Sequence, residues 1–433
     1  MRKVLLVSPH FPPINAPDHQ RVRMALPYLE ESGWLPTVLS VRPECVEGEL
    51  DPLLTQTLPK QVPIIRTGAL PIRLMRLLGV GNLAYRAFGN LRRTGEALLE
   101  HEKFDLVFFS TTLFPIMTLG PRWRHKFGVP YILDFQDPWL SDYYVQHSDQ
   151  RPPGGRLKYG FSRWLARRSE PVTVRGARHI VCVSKAYAEA LQNRYPDIPE
   201  RNFTVLPFGA PELDFDALDD LHVSQSVFDP DDGKQHWVYI GRGRQDMSFA
   251  VRAFFTALKH HTDENPNLSE RLHIHFIGTD YAPKHRARKT IEPLAVECRV
   301  EKLISEQTDR LPYFTALRCL KDAHAFFIPG SDDPGYTASK LYPYILAKKP
   351  LLAVFHEASS VVEILRATKA GIVVTFNGQQ SVGEIAGKIH EQWFARLPPS
   401  APATNWNAFA SYTALEMTRR LCGIFERAVA EPN

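Results

Sequence analysis

Ten short apolar runs, with segments of helical spacing between them, decide what this chain can fold into. Five lie in the first half, at 3–8, 37–41, 104–110, 129–135 and 179–184. The other five lie at 237–240, 273–277, 325–328, 351–354 and 371–374. Between the first two, residues 21–31 place Val22, Leu26 and Leu29 on one helical face. Strand, loop, helix and strand in so short a span make a βαβ unit, and such units build parallel sheets. The loops that follow their strands gather at the C-terminal sheet edge, where open α/β folds take their ligands. No Gly-x-Gly-x-x-Gly follows a strand, which excludes the usual dinucleotide fingerprint.

A chain of 433 residues exceeds the size at which one core usually stops growing, so two domains are expected. The boundary falls after 204–211, where an acidic run at 214–220 begins and no apolar run follows until Trp237. The expected division is 1–208, a linker over 209–232, 233–400, and a C-terminal helix in 401–433 that packs back toward the first domain. The five cysteines are scattered and form no Cys-x-x-Cys pair, which fits a reducing compartment and no zinc knuckle. No apolar stretch approaches the roughly 18 residues of a membrane span. The net charge of +5 is mild, but it is unevenly spread. Residues 151–178 hold eight cations against the single carboxylate Glu170, with Tyr159, Phe161 and Trp164 among them. This reads either as a solvated helix face or as a surface for anionic lipid or an anionic acceptor. Residues 66–93 carry a weaker version of the same pattern, read as a solvated face. No nucleic-acid module accompanies the charge, so nucleic acid is not expected as a partner.

Chemistry-bearing residues cluster after the strands. Asp18, His19 and Arg21 follow the first; Asp134 and Asp137 close the fourth, in a loop fixed by Pro138 and Trp139. Paired carboxylates there suit acid/base or electrostatic work. In the second half, Gly241-Arg242-Gly243-Arg244 is a glycine turn bearing two guanidinium groups, an anion site by its chemistry. The stretch 332–355 reads as loop, helix and strand. A helix start near Ser339 and Lys340 offers unpaired N–H groups and a cation to a diphosphate. His273 and His275 share a strand face and read as packed polar partners rather than a metal pair. Asp229-Pro230-Asp231 lies in the expected linker and is discounted as a metal motif.

On these motifs the chain resembles the GT-B glycosyltransferases, and within them bacterial members of glycosyltransferase family 4. FPPINAPDHQRVRMALPYLEESGW is similar to the family's first loop and helix, and ILDFQDPW to its strand end. IVCVSKAYAEAL, VLPFGAP, YIGRGR and SKLYPYILAKKPLLA follow in the family's order. The resemblance implies an α/β GT-B fold of two tandem Rossmann-like domains facing a central cleft. It implies a hexosyltransferase-like enzyme moving sugar from a nucleotide-sugar to a glycan, lipid-linked or small-molecule acceptor. Transfer would be retaining and metal-independent, with no cofactor beyond the nucleotide-sugar co-substrate. Gly241, Arg242, Arg244, Ser339 and Lys340 would hold the donor. Asp137 and Asp18 would be catalytic, and His19, Arg21 and Asp134 would line the acceptor side. The expected location is the cytoplasm, with peripheral contact at the anionic inner face of the membrane. One departure is plain: Gly335 and Pro343 stand where the family carries paired glutamates. That leaves two alternatives, a non-catalytic GT-B partner subunit or a sugar-nucleotide epimerase.

Overall fold

The computed structural model describes residues 1–77, 79–140, 155–280, 282, 286–333, 341–396 and 399–430. They divide into two units, Met1–Gly209 with Ala414–Asn433, and Ala210–Thr413. The first unit is built on strands β1 Arg2–Val7, β2 Trp34–Val41, β3 Ile64–Thr67, β4 Leu106–Ser110, β5 Tyr131–Phe135, β6 His179–Cys182 and β7 Phe203–Val205. They pair in parallel in the order β3-β2-β1-β4-β5-β6-β7. The central strands β4 and β5 are buried at every position, as a sheet covered on both faces requires. On one face Val22 and Leu26 of helix Gln20–Leu29 share a core with Met417, Leu421 and Phe425 of the terminal helix Ala414–Ala430. The terminal helix is therefore part of the first unit.

The second unit repeats the plan with β8 Gln235–Ile240, β9 Leu272–Ile277, β10 Ile304–Gln307, β11 Ala325–Pro329, β12 Leu351–His356 and β13 Ile372–Phe376. Their order is β10-β9-β8-β11-β12-β13, again all parallel. Residues 209–232, which read from composition as a linker, carry the helix Glu212–Asp220 and seat Phe215 and Phe228 against the core of this unit. Sparse apolar residues hid the helix, because only one of its faces needs burying.

Each sheet reverses its winding once, between β1 and β4 in the first unit and between β8 and β11 in the second. At such a reversal the flanking loops run to opposite faces and leave a crevice at the carboxyl ends of the strands. In the second unit the opening is visible in the hydrogen bonding. Strands β8 and β11 pair only at Trp237 and Val238, and beyond them Tyr344 takes over the backbone of β8. Its hydroxyl accepts from the Ile240 N–H at 2.7 Å and donates to the Ile240 carbonyl at 3.1 Å.

Candidate functional site

In the first unit the crevice between β1 and β4 is lined by polar groups held on buried supports. Asp18 lies in a short 3-10 turn, Pro17–His19, ahead of the first helix, and is only 3% exposed. Both its carboxylate oxygens lie 3.0 Å from His10 Nδ1. From across the switch, Thr111 Oγ1 donates at 3.2 Å, and the Thr112 N–H and hydroxyl each donate at 3.3 Å. Burial alone would raise this carboxyl. The His10 hydrogen bond and charge, the His19 charge and the Thr112 amide outweigh it and hold Asp18 below the usual carboxylate range. Asp18 is thus an ionised anchor for His10, whose own side chain keeps an open edge.

Asp137, two residues beyond β5, differs. It is exposed, yet the walls around it desolvate its carboxyl, and with the Asp18 charge they raise it above the usual range. A carboxyl with raised pKa beside a crevice can exchange protons with a bound hydroxyl at accessible pH. The next residues in the chain, Pro138 and Trp139, line a cavity of about 480 Å³ that Tyr85, Phe88, Phe114 and Tyr159 also wall and that reaches Thr112. Phe114 and Trp139 stack with centroids 5.6 Å apart, which fixes the loop carrying Asp137. Its size and aromatic lining suit a small organic group.

The remaining first-unit residues singled out from sequence serve the scaffold. Arg21 is wholly buried: Nε donates to Asp134 Oδ2 at 2.8 Å, Nη2 to the Leu206 carbonyl at 2.6 Å and Nη1 to Pro207 O at 3.3 Å. Asp134 accepts further from Ser110 and Gln136, each at 2.8 Å, and is fully buried. This ion pair ties β5 to the segment after β7 and offers an acceptor no open edge. His19 is equally buried. Burial and the Arg23 charge push its imidazole down to about 4. It is therefore neutral near pH 7, with Nε2–H donating to Ile14 O at 2.9 Å. So Asp134, Arg21 and His19, singled out from sequence as acceptor-side residues, are buried supports beneath the crevice rather than part of its lining. Sequence reading missed His10, Thr112 and Gln136. His10 stood directly after the first strand and could have been found. Thr112 and Gln136 need the strand order, which brings β4 beside β1 and β5 beside β4.

In the second unit the Gly/Arg turn follows β8 at the switch. The Gly241 N–H bonds to Ile277 O at 2.9 Å and the Gly243 N–H to Thr279 O at 2.7 Å. A Cβ on Gly241 would meet the Tyr239 hydroxyl at 2.4 Å, and one on Gly243 would meet Thr290 Oγ1 at 2.9 Å, so both positions need glycine. The guanidinium of Arg242 is gripped at both ends by Asp246, at 3.1 and 2.7 Å. Asp246 in turn accepts from Ser331, which follows β11, at 2.7 Å. Burial would raise the Asp246 carboxyl, but the Arg242 and Ser331 hydrogen bonds hold it low. Arg242 is therefore pre-oriented, and Arg244 lies exposed two residues on. Asp246 was legible only as a residue four beyond Arg242. Ser339, Lys340 and Gly335 lie outside the described residues; Pro343 sits in the helix Leu341–Leu346. His273 and His275 belong to a polar cluster: His275 bonds His236 at 3.0 Å and Ser305 at 3.1 Å.

Residues 19–209 match the family described as a glycosyl transferase 4-like domain. No curated protein sequence matches the chain. Among solved structures, a glycosyltransferase from Rickettsia africae is 14% identical with a TM-score of 0.59, covering 100% of this chain and 99% of that one. Anabaena HepE, solved with UDP and glucose, is 14% identical with a TM-score of 0.58, covering 98% and 99%. Sucrose-phosphate synthase from Thermosynechococcus elongatus is 14% identical with a TM-score of 0.52, covering 99% and 96%. At these identities the solved structures share the fold. The chain therefore has the GT-B fold of these glycosyltransferases, and its residues 19–209 match a glycosyl transferase 4-like domain.

Proposed function

We propose that the chain moves a sugar from a nucleotide diphosphate donor, a UDP-sugar first among candidates, to a hydroxyl-bearing acceptor, with retention and without a metal ion. The observation that carries this is the pre-oriented Arg242 on a glycine-bounded turn at the switch between β8 and β11. As the bond from the anomeric carbon to the diphosphate breaks, negative charge collects on the leaving phosphate. A fixed guanidinium there is worth about 3–4 kcal/mol. Arg244, Ser339 and Lys340 are the further donor contacts on this reading. HepE, described with UDP, UDP-glucose and glucose, supports a uridine donor. The ribose partner is left open by Pro343 and Gly335, where glutamates would stand.

On the acceptor side, the aromatic-walled cavity that Pro138 and Trp139 line takes the apolar part of the acceptor, and Asp137 receives its hydroxyl. Asp18 sets the charge behind it. Replacing Asp137 by Asn is expected to lower kcat by about 10²–10⁴-fold with an unchanged unfolding curve. Activity within threefold of wild type would remove Asp137 from the reaction. The stereochemical claim is read from the anomeric proton coupling of the product by NMR; inversion refutes it.

Peripheral membrane contact belongs to the same reading. The helix Arg156–Arg175 exposes Phe161 at 63% and Trp164 at 48% among its arginines. Among the described residues no helix is long and apolar enough to cross a membrane. The chain should sediment with phosphatidylglycerol vesicles at low salt, and a Phe161→Ser/Trp164→Ser variant should lose most of that binding. Equal sedimentation of both proteins would dismiss this helix as the contact.

A further inference from the structure

The helix Ser248–Glu264 begins just after the Arg242 turn, and at its far end it carries His261 and Glu264 on one face, three residues apart. Packed against it is the helix Val382–Gln392, which presents His390 to the same place. The nitrogen and oxygen ligand atoms of His261, Glu264 and His390 all lie within 4.8 Å of one another. His390 Nε2 is already 3.2 Å from Glu264 Oε2. We propose that these three side chains bind a zinc-class divalent transition ion that staples the two helices together. Two imidazoles and one carboxylate form a donor set that such ions prefer over magnesium or calcium, and they leave a fourth position for water.

The geometry supports the ligand roles one by one. The His261 ring is nearly buried and stacks on Phe394 with centroids 5.1 Å apart and an interplanar angle of 24°, so its direction is fixed. His390 and Glu264 are 32% and 61% exposed, which gives the ion a path in and lets both side chains move. Tetrahedral bonds of about 2.0–2.1 Å need ligand atoms roughly 3.3 Å apart, within reach of rotamer changes in those two side chains. The ion would be structural. From its start at Ser248, beyond the Arg242 turn, the helix rises over 13 residues to His261, about 20 Å.

The test is zinc binding to the full chain after chelator treatment, measured by competition with a chromophoric zinc indicator. Wild type is expected to bind one equivalent tightly and to gain several degrees in Tm, whereas magnesium does neither. His390→Ala, at a half-buried position, and Glu264→Gln, at an exposed one, should each weaken zinc at least tenfold while keeping the apo Tm. His236→Asn, in the other histidine cluster, should bind zinc as wild type does. No stoichiometric zinc in wild type, or affinity unchanged in both His390→Ala and Glu264→Gln, overturns the proposal.

Discussion

Arg242→Ala is expected to lower kcat for sugar transfer by about 10²–10³-fold, because on the proposed function its guanidinium is the fixed cation that meets the leaving diphosphate. The loss should appear in kcat more than in KM, since the charge it meets develops as the diphosphate leaves. Arg242→Lys should recover only part of the rate. A lysine keeps the charge, but it cannot make the two parallel bonds to Asp246 that orient the group. Asp246→Asn should show the same deficit more weakly, through a looser Arg242. Steady-state kinetics on the three variants decide it. Rates within threefold of wild type for Arg242→Ala would end the assignment of this turn to the leaving group.

The second large effect concerns stability. Arg21→Met leaves the Asp134 carboxylate fully buried without its cation, and strips donors from the Leu206 and Pro207 carbonyls. A loss of about 3–5 kcal/mol is expected, read from urea unfolding. The double variant Arg21→Met/Asp134→Leu should regain a good part of it, because removing both charges removes the burial penalty as well. If Arg21→Met costs less than about 1 kcal/mol, the pair is not the tie between β5 and the segment after β7. If it unfolds normally yet loses acceptor binding, Arg21 has a direct substrate role.

These two arginines show where sequence reading reaches and where it stops. Both lay after apolar runs; Arg242 read as part of an anion site and Arg21 as a residue of the acceptor side. Arg242 meets its carboxylate at the open end of the switch. Arg21 meets Asp134 inside, a pairing 113 positions apart that no local pattern can disclose. The strand plan was legible where strands are buried on both faces, as in β4, β5, β11 and β12. Missing were β3, β7 and β10, each of three or four residues at a sheet edge. One flank of an edge strand faces solvent or loops, so no continuous apolar run marks it. The Asp18 site was half legible for the same reason. Its own loop follows β1, but the threonines that hold it directly follow β4, brought alongside by the switch.

The donor assignment is tested most directly by following nucleoside diphosphate release from a panel of UDP-, GDP-, dTDP- and ADP-sugars, wild type beside Arg242→Ala. Release from at least one donor is expected, a UDP-sugar first, falling by two orders of magnitude or more in the variant. No binding and no turnover with any of them, or turnover that ignores the loss of Arg242, would contradict it.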